Sequence, residues 1–135
     1  MRTSLKSDLQ AIVGADHVSH EERDRMAYCR DMWPRNLILL RSGVDRVYSP
    51  DVVVWPGTVE EVAGVLGYAS RRAVPVVAFG GGSGVCGGTV PSAGGILVDL
   101  KRLDAIHPID PLSRTVDVQA GVRGQHLEDA LNAQG

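Results

Sequence analysis

Apolar positions change their spacing along this chain, and each change marks a different element. Leu5, Leu9, Ile12 and Val13 recur at helical spacing and predict an opening helix. Ser19 stands three residues before Glu22, a capping-box signature that predicts a second helix running through Tyr28. "DMWPRNLILLRSG" breaks at Pro34 and then runs apolar to Leu40. It reads as an extended arm or short strand that docks through Trp33 and the leucines. From Val47 the runs become regular. "DVVVWP" reads as a buried strand ended by Pro56. Thr58 and Glu61 form a second capping box, and the helix after it carries Val59, Val62, Ala63, Leu66 and Ala69 on one face. "VPVVAF" and "GGILVDL" read as two further strands. Apolar runs without alternation suit strands covered on both faces, as in a parallel sheet.

Further on the period falls to two. Val116, Val118 and Ala120 alternate with Thr115, Asp117 and Gln119. That pattern predicts an antiparallel pair with "DAIHPID", one face solvated. Asp110, Pro111 and Ser113 supply the turn. "GVRGQHLEDALNAQG" then starts a helix. Val122, Leu127, Ala130 and Leu131 would line one face of it, with no later element to cover them. The chain therefore reads as an N-terminal piece of something longer. The expected fold class is α+β: a small parallel β-α-β sheet with a glycine-rich loop, followed by the start of an antiparallel subdomain. Residues 1–46 form a helical and extended arm, and residues 47–135 a truncated domain.

Composition narrows the function. The 135 residues are 44% hydrophobic and 22% charged, as in a soluble globular domain. The net charge is −2 with scattered basic residues, which speaks against a nucleic-acid surface. A single Phe gives little for base stacking. No apolar run approaches the ~18 residues of a membrane helix. Lys6 and Asp8 interrupt the start, so it does not read as a signal peptide. Cys29 and Cys86 form no CxxC pair and read as reduced thiols, which points to the cytoplasm.

The chemistry lies in "PVVAFGGGSGVCGGTVPSAGG". Gly80, Gly81, Gly82, Gly84, Gly87, Gly88, Gly94 and Gly95 hold half of the chain's 16 glycines. Between Ala73 and Leu100 there is no basic residue. An anion bound here must be met by backbone N–H groups, which can form a concave nest, and by the hydroxyls of Ser83 and Thr89. "GSGVCG" fits GxGxxG, but the following "GTVPSAGG" forbids the long helix that a dinucleotide-binding βαβ unit needs. "GVCGGT" fits a Walker loop, but Gly88 stands where the lysine belongs. A plain linker would more often carry Ser, Asp or Lys. A third reading is a loop that holds a pyrophosphate through its glycine N–H groups and then returns to the sheet.

That arrangement resembles the FAD-binding domain of the vanillyl-alcohol oxidase / p-cresol methylhydroxylase superfamily, in its FAD-linked oxidase branch. The branch includes glycolate oxidases, D-lactate dehydrogenases and alkyldihydroxyacetone-phosphate synthase. "PDVVVWPGTVEEVAGVLGYASRRAVPVVAFGGGSG" is similar to the family's strand, helix, strand and pyrophosphate loop. "GGILVDLKRLDAI" is similar to the next strand, and "VDVQAGVRGQHLEDAL" to the strand and helix that follow. The resemblance implies FAD as cofactor. It implies that Gly80, Gly81, Gly82, Ser83, Gly84 and Val85 wrap the pyrophosphate, with Gly87 and Gly88 continuing the wall. Pro56 and Gly121 are implied to lie near the cofactor. The function implied is FAD binding in the N-terminal part of an oxidoreductase acting on a small 2-hydroxy acid or similar alcohol. The alternatives are a synthase-like FAD transferase and a non-enzymatic nucleotide-binding fragment.

The other reactive residues read as ordinary. Cys86 has no basic neighbour to lower its pKa and reads as a small side chain packed against cofactor. His17 and His20 read as a solvated helix start, and "EERDR" as a solvated face. His126 would face flavin or solvent. Trp33 and Trp55 read as packing residues, with Trp55 the nearer to cofactor. No residue is assigned to catalysis or to a metal.

Overall fold

The computed structural model describes residues 2–43 and 48–134. The expected border between arm and domain, at residues 46 and 47, lies outside them. Four strands form one sheet in the order β1-β2-β4-β3, with β1 Val18–Ser19, β2 Val52–Val54, β3 Val76–Phe79 and β4 Ile96–Asp99. Strands β2, β4 and β3 run parallel, and β1 pairs antiparallel to β2. The connection from β2 to β3 is a helix, and β4 returns between them.

The sheet is buried because its central strands are apolar on both faces. Val52, Val54, Ile96 and Val98 face one core with Leu9 and Val13 of α1 (Arg2–Val13) and Val65, Tyr68 and Ala69 of α4 (Val59–Arg72). Val53 and Leu97 face a second core made by Tyr28, Trp55 and Phe79. Each fully buried aliphatic side chain contributes about 1.5–3 kcal/mol. The edge strand β3 departs from expectation: its residues are half-buried and Ala78 is exposed. Its apolar run has β4 on one side only.

Thr58 caps α4 as expected, accepting the Glu61 N–H, while the Glu61 carboxylate accepts the Gly57 N–H. The buried face of α4 is only in part the expected one: Ala69 is buried, but Ala63 is exposed. Val59 and Leu66 are exposed. The helix turns Gly64, Val65 and Tyr68 inward because Gly64 lets Ile12 of α1 approach closely and the Tyr68 hydroxyl bonds Asp8. Ser19 is not a helix cap either. It lies in β1, and α2 (Glu22–Ala27) begins after Glu21. "DMWPRNLILLRSG" is not a strand: Pro34 opens α3 (Pro34–Arg41), a first-turn position where the missing N–H costs nothing.

Past Leu103 the structure thins. The expected antiparallel pair exists as two bridges, Ile106 with Val118 and Asp110 with Thr115, without a continuous ladder. The Asp110 carboxylate accepts the Leu112 and Ser113 N–H groups and sets the turn. Helix α5 (Gly124–Asn132) buries no residue. This region is tied to the sheet where the Gly121 N–H bonds the Leu103 carbonyl. No helix among the described residues is long and apolar enough to cross a membrane.

Candidate functional site

Parallel strands end together, and ligands of open parallel sheets lie beyond their carboxyl ends. Here those ends are Phe79 on β3 and Asp99 on β4. Beyond them opens a cavity of about 610 Å3. Its walls come from the start of the glycine loop (Gly80, Gly81, Ser83), from Asp99 and Lys101 after β4, and from Tyr28. The fourth wall is the turn Ala120–Gly124 that leads into α5. Arg123 stands at the N-cap of α5 without a side-chain cap bond. The first-turn N–H groups of the helix, which lack intrahelical partners, open beside it.

The opening turn of the loop is bare. Among the described residues, the N–H groups of Gly80, Gly81, Gly82 and Ser83 make no hydrogen bond. A side chain built at Gly81 would meet nothing within 4 Å, and at Gly80 only the Ala120 carbonyl at 3.9 Å. Packing within the chain does not require glycine at these two positions. Gly82 differs. Its φ is +65°, and a Cβ there would lie 2.5 Å from the Phe79 ring. Gly81 and Gly82 also line a second hollow of about 460 Å3 on the other side of the turn, with Arg30 and Arg41.

The rest of the loop is pinned. The buried Asp31 carboxylate accepts the Gly87 N–H at 3.0 Å and the Trp33 N–H at 2.9 Å, and the Met32 N–H bonds the Gly84 carbonyl. The Trp33 ring lies against Gly87. Val85 and Cys86 are exposed. Thr89 holds the one buried side-chain oxygen without a partner among the described residues.

At the floor of the cavity four side chains share hydrogen bonds. The Tyr28 hydroxyl donates to Asp99 Oδ2 at 2.6 Å and accepts from Trp55 Nε1 and Lys101 Nζ, each at 3.0 Å. The Lys101 ammonium bonds Asp99 Oδ2 at 2.8 Å, and its backbone N–H bonds Asp99 Oδ1 at 2.9 Å. Burial, then the bond to Asp99, raises the Tyr28 pKa above its ordinary value. Burial alone would lower the Lys101 ammonium. Its bonds to Asp99 and Tyr28 outweigh that and raise it. Both groups are held protonated.

Of the residues singled out in the sequence, the structure brings Gly80, Gly81, Ser83 and Gly121 into the cavity wall. Gly82 stands behind them. Gly84, Val85, Gly87 and Gly88 lie on the return of the loop, outside that wall. Pro56 is fully buried at the end of β2, also outside it. Gly121 has a packing reason as well, since a Cβ there would lie 2.0 Å from the Leu100 carbonyl. His126 is exposed and lines a separate hollow with His107. Arg25 of "EERDR" is not wholly solvated, because it bonds the Pro50 carbonyl and the Ser49 hydroxyl. Both cysteines are free, Cys29 buried and Cys86 exposed.

Sequence reasoning missed Tyr28, Asp99, Lys101 and Arg123 as cavity residues. The run without a cation ends at Leu100, and Lys101 is the next residue. An acid closing a buried strand with a lysine two residues later was the available signal.

The family described as FAD binding domain matches residues 50–135. Glycolate oxidase subunit GlcD of Bacillus subtilis is 28% identical over 131 residues, 97% of this chain and 26% of that protein. D-2-hydroxyglutarate dehydrogenase of Xanthomonas citri pv. viticola is 34% identical over 127 residues, 94% of this chain and 25% of that protein. A solved alkyldihydroxyacetonephosphate synthase superposes with a TM-score of 0.85 at 26% identity, covering 98% of this chain and 25% of that one. The chain spans about a quarter of the length of these relatives.

Proposed function

Because the chain belongs to the FAD binding domain family, we propose that it binds FAD at the opening turn of its glycine loop, as part of an FAD-linked oxidoreductase. The observation that carries this reading is the run of unspent N–H groups at Gly80–Ser83, open to a cavity beyond the parallel strands. Partial positive charges so arranged suit a pyrophosphate without a lysine in the loop. The residues fit the cofactor in one further respect: Gly81 leaves space that no part of the chain fills.

Bound FAD would supply a hydride acceptor. The chain's own residues would bind and orient it: Gly80, Gly81, Gly82 and Ser83 at the pyrophosphate, with Gly121 in the facing wall of the same cavity. The substrate class is a small 2-hydroxy acid or similar alcohol, in keeping with relatives that act on glycolate and D-2-hydroxyglutarate by name. No residue of this chain is assigned to act on it. We place the protein in the cytoplasm, on its two unpaired thiols. A second reading, an FAD-dependent transferase like alkyldihydroxyacetonephosphate synthase, is favoured by the structural superposition.

An FAD titration of the chain, followed by flavin fluorescence and visible spectrum with NAD and ATP as controls, tests the proposal. Saturable binding of FAD alone is the expected result. No binding, or equal binding of all three, would leave the loop as a structural connection.

A further inference from the structure

Pyrophosphate carries full negative charge, and the N–H groups that meet it carry only partial charge. The cationic residues in the cavity wall are Lys101 and Arg123. Lys101 is the one held in place. An ammonium has three N–H donors. One bonds Asp99 Oδ2 and one bonds the Tyr28 hydroxyl. The third is unspent among the described residues. The ammonium also lies 5.6 Å from the Tyr28 ring centre and 5.9 Å from that of Trp55. The Lys101 side chain is 57% exposed and that of Asp99 2%. The ion pair therefore presents its positive end to the cavity and hides its negative end in the sheet.

On the reading that FAD is the ligand of this cavity, we propose that Lys101 is a contact residue, donating its third ammonium N–H to an oxygen of the bound dinucleotide. Asp99 and Tyr28 are its positioning residues. Tyr28 bonds to both partners of the pair, so the ammonium is fixed before the ligand arrives. The freedom a lysine normally loses on binding is already spent. The acceptor is an oxygen of the pyrophosphate or a carbonyl oxygen of the flavin ring, and these two call for the same donor.

The test measures dissociation constants of the full chain for FAD, ADP and riboflavin, at low and high salt. The variants are wild type, Lys101→Met, Lys101→Arg and Tyr28→Phe. A charge-assisted hydrogen bond predicts that Lys101→Met weakens FAD roughly ten- to hundredfold. Its FAD affinity should also depend less on salt than wild type. The variant leaves the buried Asp99 carboxylate without its ammonium and should unfold at a lower temperature, so affinities are compared where both free chains are folded. Lys101→Arg should recover part of the loss. Tyr28→Phe keeps the ring in the core and should weaken FAD by a few-fold. Loss of ADP affinity with riboflavin unchanged places the acceptor on the pyrophosphate, and the converse places it on the ring. If wild type binds FAD and Lys101→Met matches it for every ligand, Lys101 is no contact and the cofactor reading stands. If wild type does not bind FAD, both fall together.

Discussion

The two parts of the glycine loop use the same residue for different ends. In the opening turn, Gly81 faces space that no other residue occupies. On the return, Gly87 lies against the Trp33 ring and Gly95 lies so close to Pro75 that a Cβ would meet its carbonyl oxygen at 2.2 Å. At Gly87, Gly94 and Gly95 the return needs glycine to fold, whereas Gly88 on the same return faces open space. The opening turn has it with no internal reason at Gly81, and the proposed ligand would supply one. Substitutions should therefore separate stability from binding along a single loop.

The largest loss of stability should come from Gly95→Ala. Its φ is +79°, and the clash is with backbone that cannot rotate away. About 3 kcal/mol or more is expected, read by urea unfolding. Asp31→Ala comes next. It frees the Gly87 and Trp33 N–H groups from a buried carboxylate, at about 1.5–3 kcal/mol, and the loop's return should gain hydrogen exchange. If either variant bound FAD poorly while unfolding like wild type, the division of the loop would be misplaced.

The next effects concern ligand. Gly82→Val should weaken FAD more than Ser83→Ala does, as a backbone nest requires. Equal or reversed effects would count against the nest. Gly82 also packs on Phe79, so part of its effect is folding. Gly81→Val carries no such burden.

The smallest effect under ordinary conditions concerns pH. Tyr28 and Lys101 both titrate above their ordinary 10.0 and 10.5 in the folded chain. A raised folded pKa gives stability that is full below the unfolded value and lost as pH rises through the folded one. Stability should be flat through neutral pH as far as this pair is concerned, and should fall above about pH 10. Tyr28→Phe should flatten the alkaline fall in a denaturation series.

Much of this was legible in the sequence because it is local. Val52–Val54 and Ile96–Val98 announce buried strands, Thr58 and Glu61 announce a helix start, and the glycines announce the loop. What was hidden depends on contacts far along the chain. Tyr28 and Asp99 are 71 residues apart and meet only when the sheet forms. The face of α4 is set by Gly64 against Ile12, which an apolar count ignores. Pro34 can end a segment or open a helix, and residues 34–41 take the second course. The pinning of Gly87 by Asp31 spans 56 residues, so the two parts of the loop looked alike.

The most direct measurement is FAD titration of Gly81→Val beside wild type, with thermal unfolding of both free chains. The expected result is equal unfolding and an affinity for FAD reduced at least tenfold, about 1.4 kcal/mol or more. A Gly81→Val chain that unfolds like wild type and binds FAD as tightly would contradict a ligand at the opening turn.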